Sequence, residues 1–469
     1  MTTGAITPKL VSLAWPLVAG NLLQTVYNLA DMFWVGRVGK NAVAAVTLMF
    51  PTAWLFVSLA MGLTAGAVAL VSQHVGAGND RAADTVVGQI TLLTVGVGVA
   101  LAAVGYLFRH PLLVFLGAEG VVYRMALDYI EVLFVSIPFT FLFFVFRAVL
   151  RGAGDTRTAM WLVVLSAGLN VVLDPLLILG VGWFPAWGVR GAAVATLISR
   201  IFAAAVGVAL LLRGDWGIRL RVEDLEPDVP VLKKLVSIGY PATLDGAARS
   251  FAAVAMAALV ARFGPVPTAA YGVGLRLMSV SWTVSGAVGQ AAATGVGQNL
   301  GAETPDRAAR VTWTATAGTM AVLFLAGGLM FAFPDELVRI FIDDPAVVAE
   351  GVDFLRIIGP FLAFFGGLMV VQGGFRGAGD TRVAMALSVL SRWGFRIPAA
   401  GLFAYQWSWT LTLVGPPVAF GGLSWGVDGL WWAWSFSAVA SFVVGVLWFS
   451  LGRWREGVVD DETRPTPGD

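Results

Sequence analysis

The chain has no cysteine in 469 residues, which removes disulfides, thiolate catalysis, iron–sulfur clusters and cysteine zinc sites together. Its only histidines, His74 and His110, lie too far apart in sequence to suggest a histidine metal site. Charge is scarce: Asp, Glu, Lys and Arg make up 13% of residues against roughly 25% in an average soluble domain, while hydrophobic residues reach 58%. So few charges cannot coat a water-facing surface, and a soluble enzyme is excluded. The 30 basic and 29 acidic residues leave a net charge of +1, so no basic surplus exists to follow a phosphate backbone and nucleic acid is not an expected partner.

What the chain does have is long apolar runs. A bilayer core of ~30 Å needs about 20 residues of helix. Twelve runs meet that need, at approximately 10–37, 43–75, 85–108, 121–150, 157–180, 188–213, 231–263, 268–299, 308–331, 346–376, 381–405 and 426–452. The first runs past Asn21 and Gln24 to Asp31, too long and too polar for a cleaved signal peptide, so it counts as a span. The sequence therefore predicts an all-α polytopic protein of the cell membrane with the lipid bilayer as its solvent. An even number of spans puts both termini on one side. Of the 30 Lys and Arg, 17 fall in loops on that side, 6 on the other and 7 within spans, which makes the termini cytoplasmic.

Internal repetition is the most informative feature. Arg151-Gly-Ala-Gly-Asp-Thr-Arg157 recurs as Arg376-Gly-Ala-Gly-Asp-Thr-Arg382, an offset of 225. The same offset aligns Pro16 with Pro241, Gly39 with Gly264, and Gln73-x-x-Gly-Ala77 with Gln298-x-x-Gly-Ala302; towards the C-terminus it grows to 238 because the loop before the last span is longer. The chain reads as a duplicated six-helix unit. Since six is even, the copies share one orientation and are related by an axis along the membrane normal. The expected organisation is an N-terminal lobe at 8–213, a cytoplasmic linker at 214–230, a C-terminal lobe at 231–455 and a disordered tail at 456–469. Two lobes in a V with a central cavity is the expected shape.

Twelve spans in a parallel six-plus-six duplication, the RGAGDTR motif opening spans five and eleven, and Ser-Gln-His-Val-Gly-Ala-Gly-Asn-Asp-Arg-Ala-Ala-Asp closing span two together resemble the multidrug and toxic compound extrusion (MATE) transporters over about residues 8–455. In span one, Asn-Leu-Ala-Asp31-Met-Phe-Trp-Val-Gly resembles the archaeal and bacterial branch in which an N-lobe aspartate accepts the coupling ion. Asn170-Val-Val-Leu-Asp174-Pro resembles that branch's second acidic site, and by the same resemblance Tyr129 and Thr196 join the ion site. The resemblance implies export of small amphipathic organic compounds in exchange for H⁺ or Na⁺, with no ATP, no other cofactor and no covalent chemistry. A monomer is expected.

The residues support an ion site in their own right. A carboxylate on a span costs at least ~2.5–3.5 kcal/mol at the bilayer centre, so each needs a partner, a wet cavity or a function. Asn21, Gln24, Asn28 and Asp31 follow one another at steps of three, four and three and share one face of span one. Asn170 and Asp174 share a face of span five at nearly the depth of Asp31, so the two acids can meet. Two close carboxylates in a low dielectric share a proton or bind a cation, and for Na⁺ at Asp31 and Asp174, Asn170 supplies a neutral oxygen. The bland alternative is a pair of hydrogen-bonded structural acids. Pro175 and Pro16 should bend spans five and one beside the site.

In span four, Arg124 and Asp128 have the spacing of an internal ion pair. The second lobe carries Met256 where the first has Asp31, so ion coupling is assigned to the first lobe. It holds Asp245 with Arg249 and Asp353 with Arg356 at pairing distance, and Arg276, Arg392 and Arg396 without local acids. Gln24, Asn28, Arg276, Arg392 and Arg396 are the candidate substrate-cavity residues, against the alternative that these arginines pair with neighbouring helices. In the repeated motif, Gly152, Gly154, Asp155, Gly377, Gly379 and Asp380 are assigned to fold and gating: the glycines allow a tight turn and each aspartate caps the next helix. Trp183, Trp187, Trp407, Trp409 and Trp425 read as interface anchors.

The close rival to this exporter reading is a flippase, and two further classes fit less well. A flippase of the same superfamily for a lipid-linked or polysaccharide precursor would suit the arginines of the second lobe. A polytopic prenyltransferase would need further aspartates to hold Mg²⁺ on diphosphate, and Ile stands at position 178. A channel fits paired lobes worse than alternating access does.

Overall fold

Polar residues between the apolar runs start the helices. Asn79, Asp155, Asp228, Asp344 and Asp380 each accept a backbone N–H from the first turn of the helix that follows, from Ala82, Thr158, Val231, Ala346 and Val383, at 3.0–3.3 Å. The computed structural model describes residues 1–214, 217–406, 408–411 and 418–459, with 408–411 and 418–420 described by their backbone only. Spans one to six are Ile6–Val38, Lys40–Gly76, Asp80–Leu107, Gly120–Ala153, Thr156–Leu179 and Val189–Arg213. Spans seven to nine are Val229–Ala261, Pro265–Gly301 and Pro305–Ala332. Span ten joins Pro345–Ile358 to Leu362–Gly377 through a 3₁₀ turn, span eleven covers 381–404, and span twelve is Val427–Ser450.

Ten of these are long and apolar enough to cross a membrane by length and composition alone. The other two are spans eight and eleven. Span eight is rich in Gly, Ser, Thr and Gln and is buried along its second half. Span eleven was expected as one regular helix. A π-helical stretch, Leu390–Arg396, instead interrupts it between Thr381–Val389 and Ile397–Ala404, and it carries Arg392 and Arg396. The longer loop before span twelve contains an antiparallel hairpin, Ser408–Leu411 with Val418–Gly421.

The helices form two six-helix lobes with the same internal packing. Span four lies between spans two, three and six, and span ten correspondingly lies between eight, nine and twelve; span one packs on five as seven packs on eleven. The lobes meet where spans one and two cross seven and eight. Pro16 and Pro175 lie inside helices that continue through them.

Several expectations change. The linker is a clamp on span three, where buried Gln89 donates to the carbonyls of Asp224 and Glu226 at 2.8 and 2.6 Å and accepts from the Asp228 N–H at 2.8 Å. Arg81 pairs with Asp224 at 2.7 Å and Arg221 with Asp84 at 3.0 Å. The first residues of the tail are docked, not disordered: Val458 donates its N–H to Gln73 Oε1 at 2.8 Å and Val459 is buried; 460–469 lie outside the described residues. Arg124 and Asp128 do not pair; Glu131 is taken instead by Arg109 at 2.9 Å, because the short helix Arg109–Phe115 folds back against span four. Asp353 and Arg356 are both exposed, and no ion pair joins them. Trp183, Trp187 and Trp425 are exposed near span ends, and the side chains of Trp407 and Trp409 lie outside the described residues.

Candidate functional site

Helical periodicity stacks Ser166, Asn170 and Asp174 on one face of span five, and Thr196 and Arg200 on one face of span six. The structure packs these faces together against Tyr27 of span one. Asp174 and Asn170 are 0% and 1% exposed. With the Asn170 amide oriented to satisfy both its ends, its nitrogen donates to Asp174 Oδ2 at 3.0 Å and its oxygen accepts the Thr196 N–H at 3.1 Å. The Thr196 and Tyr27 hydroxyls lie 3.4 Å apart. Arg200, 7% exposed, donates to Ser166 at 3.3 Å and rests 4.1 Å from the centre of the Phe143 ring. Asp31 follows Tyr27 by one turn on span one and makes no direct hydrogen bond to Asp174, and its buried Oδ1 has no hydrogen-bond partner among the described residues.

The acids, Asn170 and Thr196 are thus gathered in one lobe. Tyr129 packs beside Val35 and Ile178 but makes no hydrogen bond to either acid. Tyr27 makes the aromatic link instead. Sequence reasoning missed Tyr27, Ser166 and Arg200, although Tyr27 precedes Asp31 by four, Ser166 precedes Asn170 by four and Arg200 follows Thr196 by four. That spacing was the available signal. In the second lobe, Met256 is buried in the apolar core, with no acid in its place.

The glycine motifs sit at the lobe boundary. Gly154 and Gly379 take φ of +97° and +85°, which lets each chain turn into the next helix, and Asp155 and Asp380 cap those helices. Gln298 Nε2 donates to the Gly152 carbonyl at 3.1 Å, and Gln73 Nε2 to the Gly377 carbonyl at 3.1 Å. Spans two and eight cross tightly there: a Cβ on Gly76 would lie 2.7 Å from Gln298 Cα. These contacts close the boundary on the side that carries the termini.

Behind this closure lies a cavity of about 360 Å³ between the lobes, with Asn21, Trp54, Met61, Phe144, Arg147 and Arg151 on one side and Asp245, Arg249, Met369 and Arg376 on the other. The residues assigned to a substrate cavity from sequence are placed elsewhere. Gln24 bonds Asn28 at 3.3 Å and borders the Asn170 cluster. Arg276 is exposed; Arg392 is held by Ser388 Oγ at 2.7 Å, and Arg396 by Ser437 Oγ at 3.1 Å, 4.6 Å from the centre of the Trp434 ring. Arg396 thus takes a partner on a neighbouring helix, a serine in place of an acid or carbonyl, whereas Arg392 is held one turn earlier on its own span.

Comparison with known proteins decides the family. The MatE family model matches residues 16–176 and again 241–402, two stretches whose starts are 225 residues apart. The chain belongs to the MatE family. Among similar curated proteins, the probable multidrug resistance protein YoeA of Bacillus subtilis is 30% identical over 418 residues, 86% of this chain and 89% of that one. The probable multidrug resistance protein NorM of Thermotoga maritima is 29% identical over 395 residues, 84% and 85% of the two chains. A solved structure described as the outward-facing conformation of a multidrug resistance MATE family transporter superposes with a TM-score of 0.84 at 24% identity, covering 99% of this chain and 98% of that chain. This MatE protein is a multi-pass membrane transporter with the two-lobed, twelve-helix fold, and it belongs with the multidrug efflux proteins.

Proposed function

We propose that the protein is a secondary active exporter that moves small amphipathic organic compounds out of the cell against an inward flow of H⁺ or Na⁺, by alternating access between its lobes. The observation that carries this reading is the Asp174–Asn170–Thr196 cluster in the first lobe, its acid and amide buried, with the unpartnered Asp31 oxygen on the neighbouring span. A buried carboxyl without a cationic partner is costly in its ionised form, and proton or cation binding relieves that cost. The arrangement suits a proton better than Na⁺: Asn170 spends its amide nitrogen on Asp174 and its oxygen on the Thr196 N–H, which leaves fewer free oxygens for a metal ion. The coupling site lies on spans one, five and six, apart from the cavity, so ion binding acts on substrate through helix packing. The same reading puts the protein in the plasma membrane as a monomer with both termini in the cytoplasm, and the closed boundary then makes this an outward-facing state.

The test is efflux from proteoliposomes under an imposed pH gradient and then an imposed Na⁺ gradient, for wild type and Asp31→Asn. Efflux driven by one gradient and lost in the variant supports antiport and names the ion. Movement indifferent to both gradients sinks it.

A further inference from the structure

We infer that the cavity between the lobes binds organic anions, amphiphiles whose apolar body lies against Trp54, Met61 and Phe144 and whose phosphate or carboxylate head is held by Arg147, Arg151 and Arg376. The inference deepens the transport reading above and rests on it only in taking this cavity as the substrate's place. Four arginines line the cavity, Arg147, Arg151, Arg249 and Arg376, against one acid, Asp245. That acid is already used twice, by Arg249 at 2.5 Å and by Arg376 at 3.2 Å. Arg147 is only 8% exposed, and its sole partner among the described residues is the face of Phe143, 5.3 Å away; its Nε is buried without an acceptor. Arg151 gives one nitrogen to Gln290, while its Nε is also buried and unpaired. Guanidinium groups left unpaired in a low-dielectric wall are costly unless an anion arrives, and their planar donors match the oxygens of phosphate and carboxylate. Arg151 and Arg376 are the first residues of the two repeated motifs, so the duplication delivers one arginine to the cavity from each lobe. A cationic amphiphile would meet this excess positive charge with no free carboxylate.

The test is equilibrium binding to the full chain in phosphatidylcholine nanodiscs, with 1-naphthyl phosphate and 1-naphthylmethylammonium as probes sharing one apolar body. The expected result is phosphate bound at least about tenfold more tightly, weakened on the order of tenfold by Arg147→Gln, since a hydrogen bond to a charged group is lost. Asp245→Asn, which frees two arginines, should tighten phosphate binding. Adding phosphatidic acid to the nanodiscs separates the sources of the anion: displacement of the naphthyl phosphate points to a lipid headgroup and its retention to a soluble organic anion, and either supports the site. Preference for the ammonium probe, or unchanged phosphate affinity in Arg147→Gln with a wild-type melting temperature, overturns the inference; if that variant does not fold, the head-group preference of the wild type still decides. Binding needs no gradient, so a failure of ion coupling in Asp31→Asn leaves this result standing, and the reverse holds too.

Discussion

Gln298 reaches from the second lobe to the Gly152 carbonyl of the first at 3.1 Å, and the residue 225 positions earlier, Gln73, returns the same bond to Gly377 over the same 3.1 Å. One pair of repeated residues thus closes the molecule symmetrically. Val458 adds a third bond by donating to the free oxygen of Gln73.

Removing this latch should open the side that carries the termini. Each bond contributes about 0.5–1.5 kcal/mol, so Gln73→Ala with Gln298→Ala should shift the balance of the two states by roughly tenfold. The chain has no cysteine, so a single Ser72→Cys placed at the crossing reports accessibility without background. Its labelling by a membrane-impermeant maleimide should accelerate in the double variant; an unchanged rate would show that helix packing alone keeps the boundary shut.

The crossing also depends on the lack of a side chain at Gly76 and Gly301. A methyl at either meets backbone of the opposite helix, which cannot swing aside as a flexible side chain can. Gly76→Ala or Gly301→Ala should therefore prevent closure while leaving the helical circular dichroism intact, and distances between spin labels on spans two and eight should lengthen. A closed distance in either variant contradicts the packing argument.

Within the acid cluster, Asn170→Ala and Thr196→Val should differ. The first strips Asp174 of its donor and leaves a buried carboxyl unpaired, a cost of about 1–3 kcal/mol; the second removes a hydroxyl but keeps the N–H that orients Asn170. Gradient-driven efflux should fall markedly in Asn170→Ala and only mildly in Thr196→Val. A larger loss in Thr196→Val than in Asn170→Ala would mean that the Thr196 hydroxyl, and not the Asn170 amide, supports the acid.

Gln89→Ala should release the linker. Three hydrogen bonds of a side chain only 1% exposed are lost, which lowers stability by about 2 kcal/mol and exposes the chain around 222–228 to protease. Limited proteolysis with thermal melting checks this. Resistance equal to wild type would assign the clamp to the ion pairs Arg81–Asp224 and Arg221–Asp84.

The sequence by itself determined the twelve spans, the duplication and its register, because bilayer thickness fixes helix length and a repeated motif needs no folding to be recognised. It also marked Asp31, Asn170 and Asp174, since a carboxyl in an apolar run stands out against its surroundings. Only the tertiary structure decided which polar groups meet. Tyr27 joins the cluster through the Thr196 hydroxyl, while Tyr129 packs beside Val35 and Ile178 without a hydrogen bond to either acid, a choice set by which helices meet and not by spacing along one of them. Arg392 and Arg396 found serines, while Arg147, unremarked in the sequence, and Arg151, noted only for opening the repeated motif, came to line the cavity. Arg151 and Arg396 find their partners on other helices, Gln290 in the other lobe and Ser437 on span twelve, and helical periodicity fixes neighbours only within one turn of the same helix, as it does for Arg147 over Phe143 and Arg392 on Ser388.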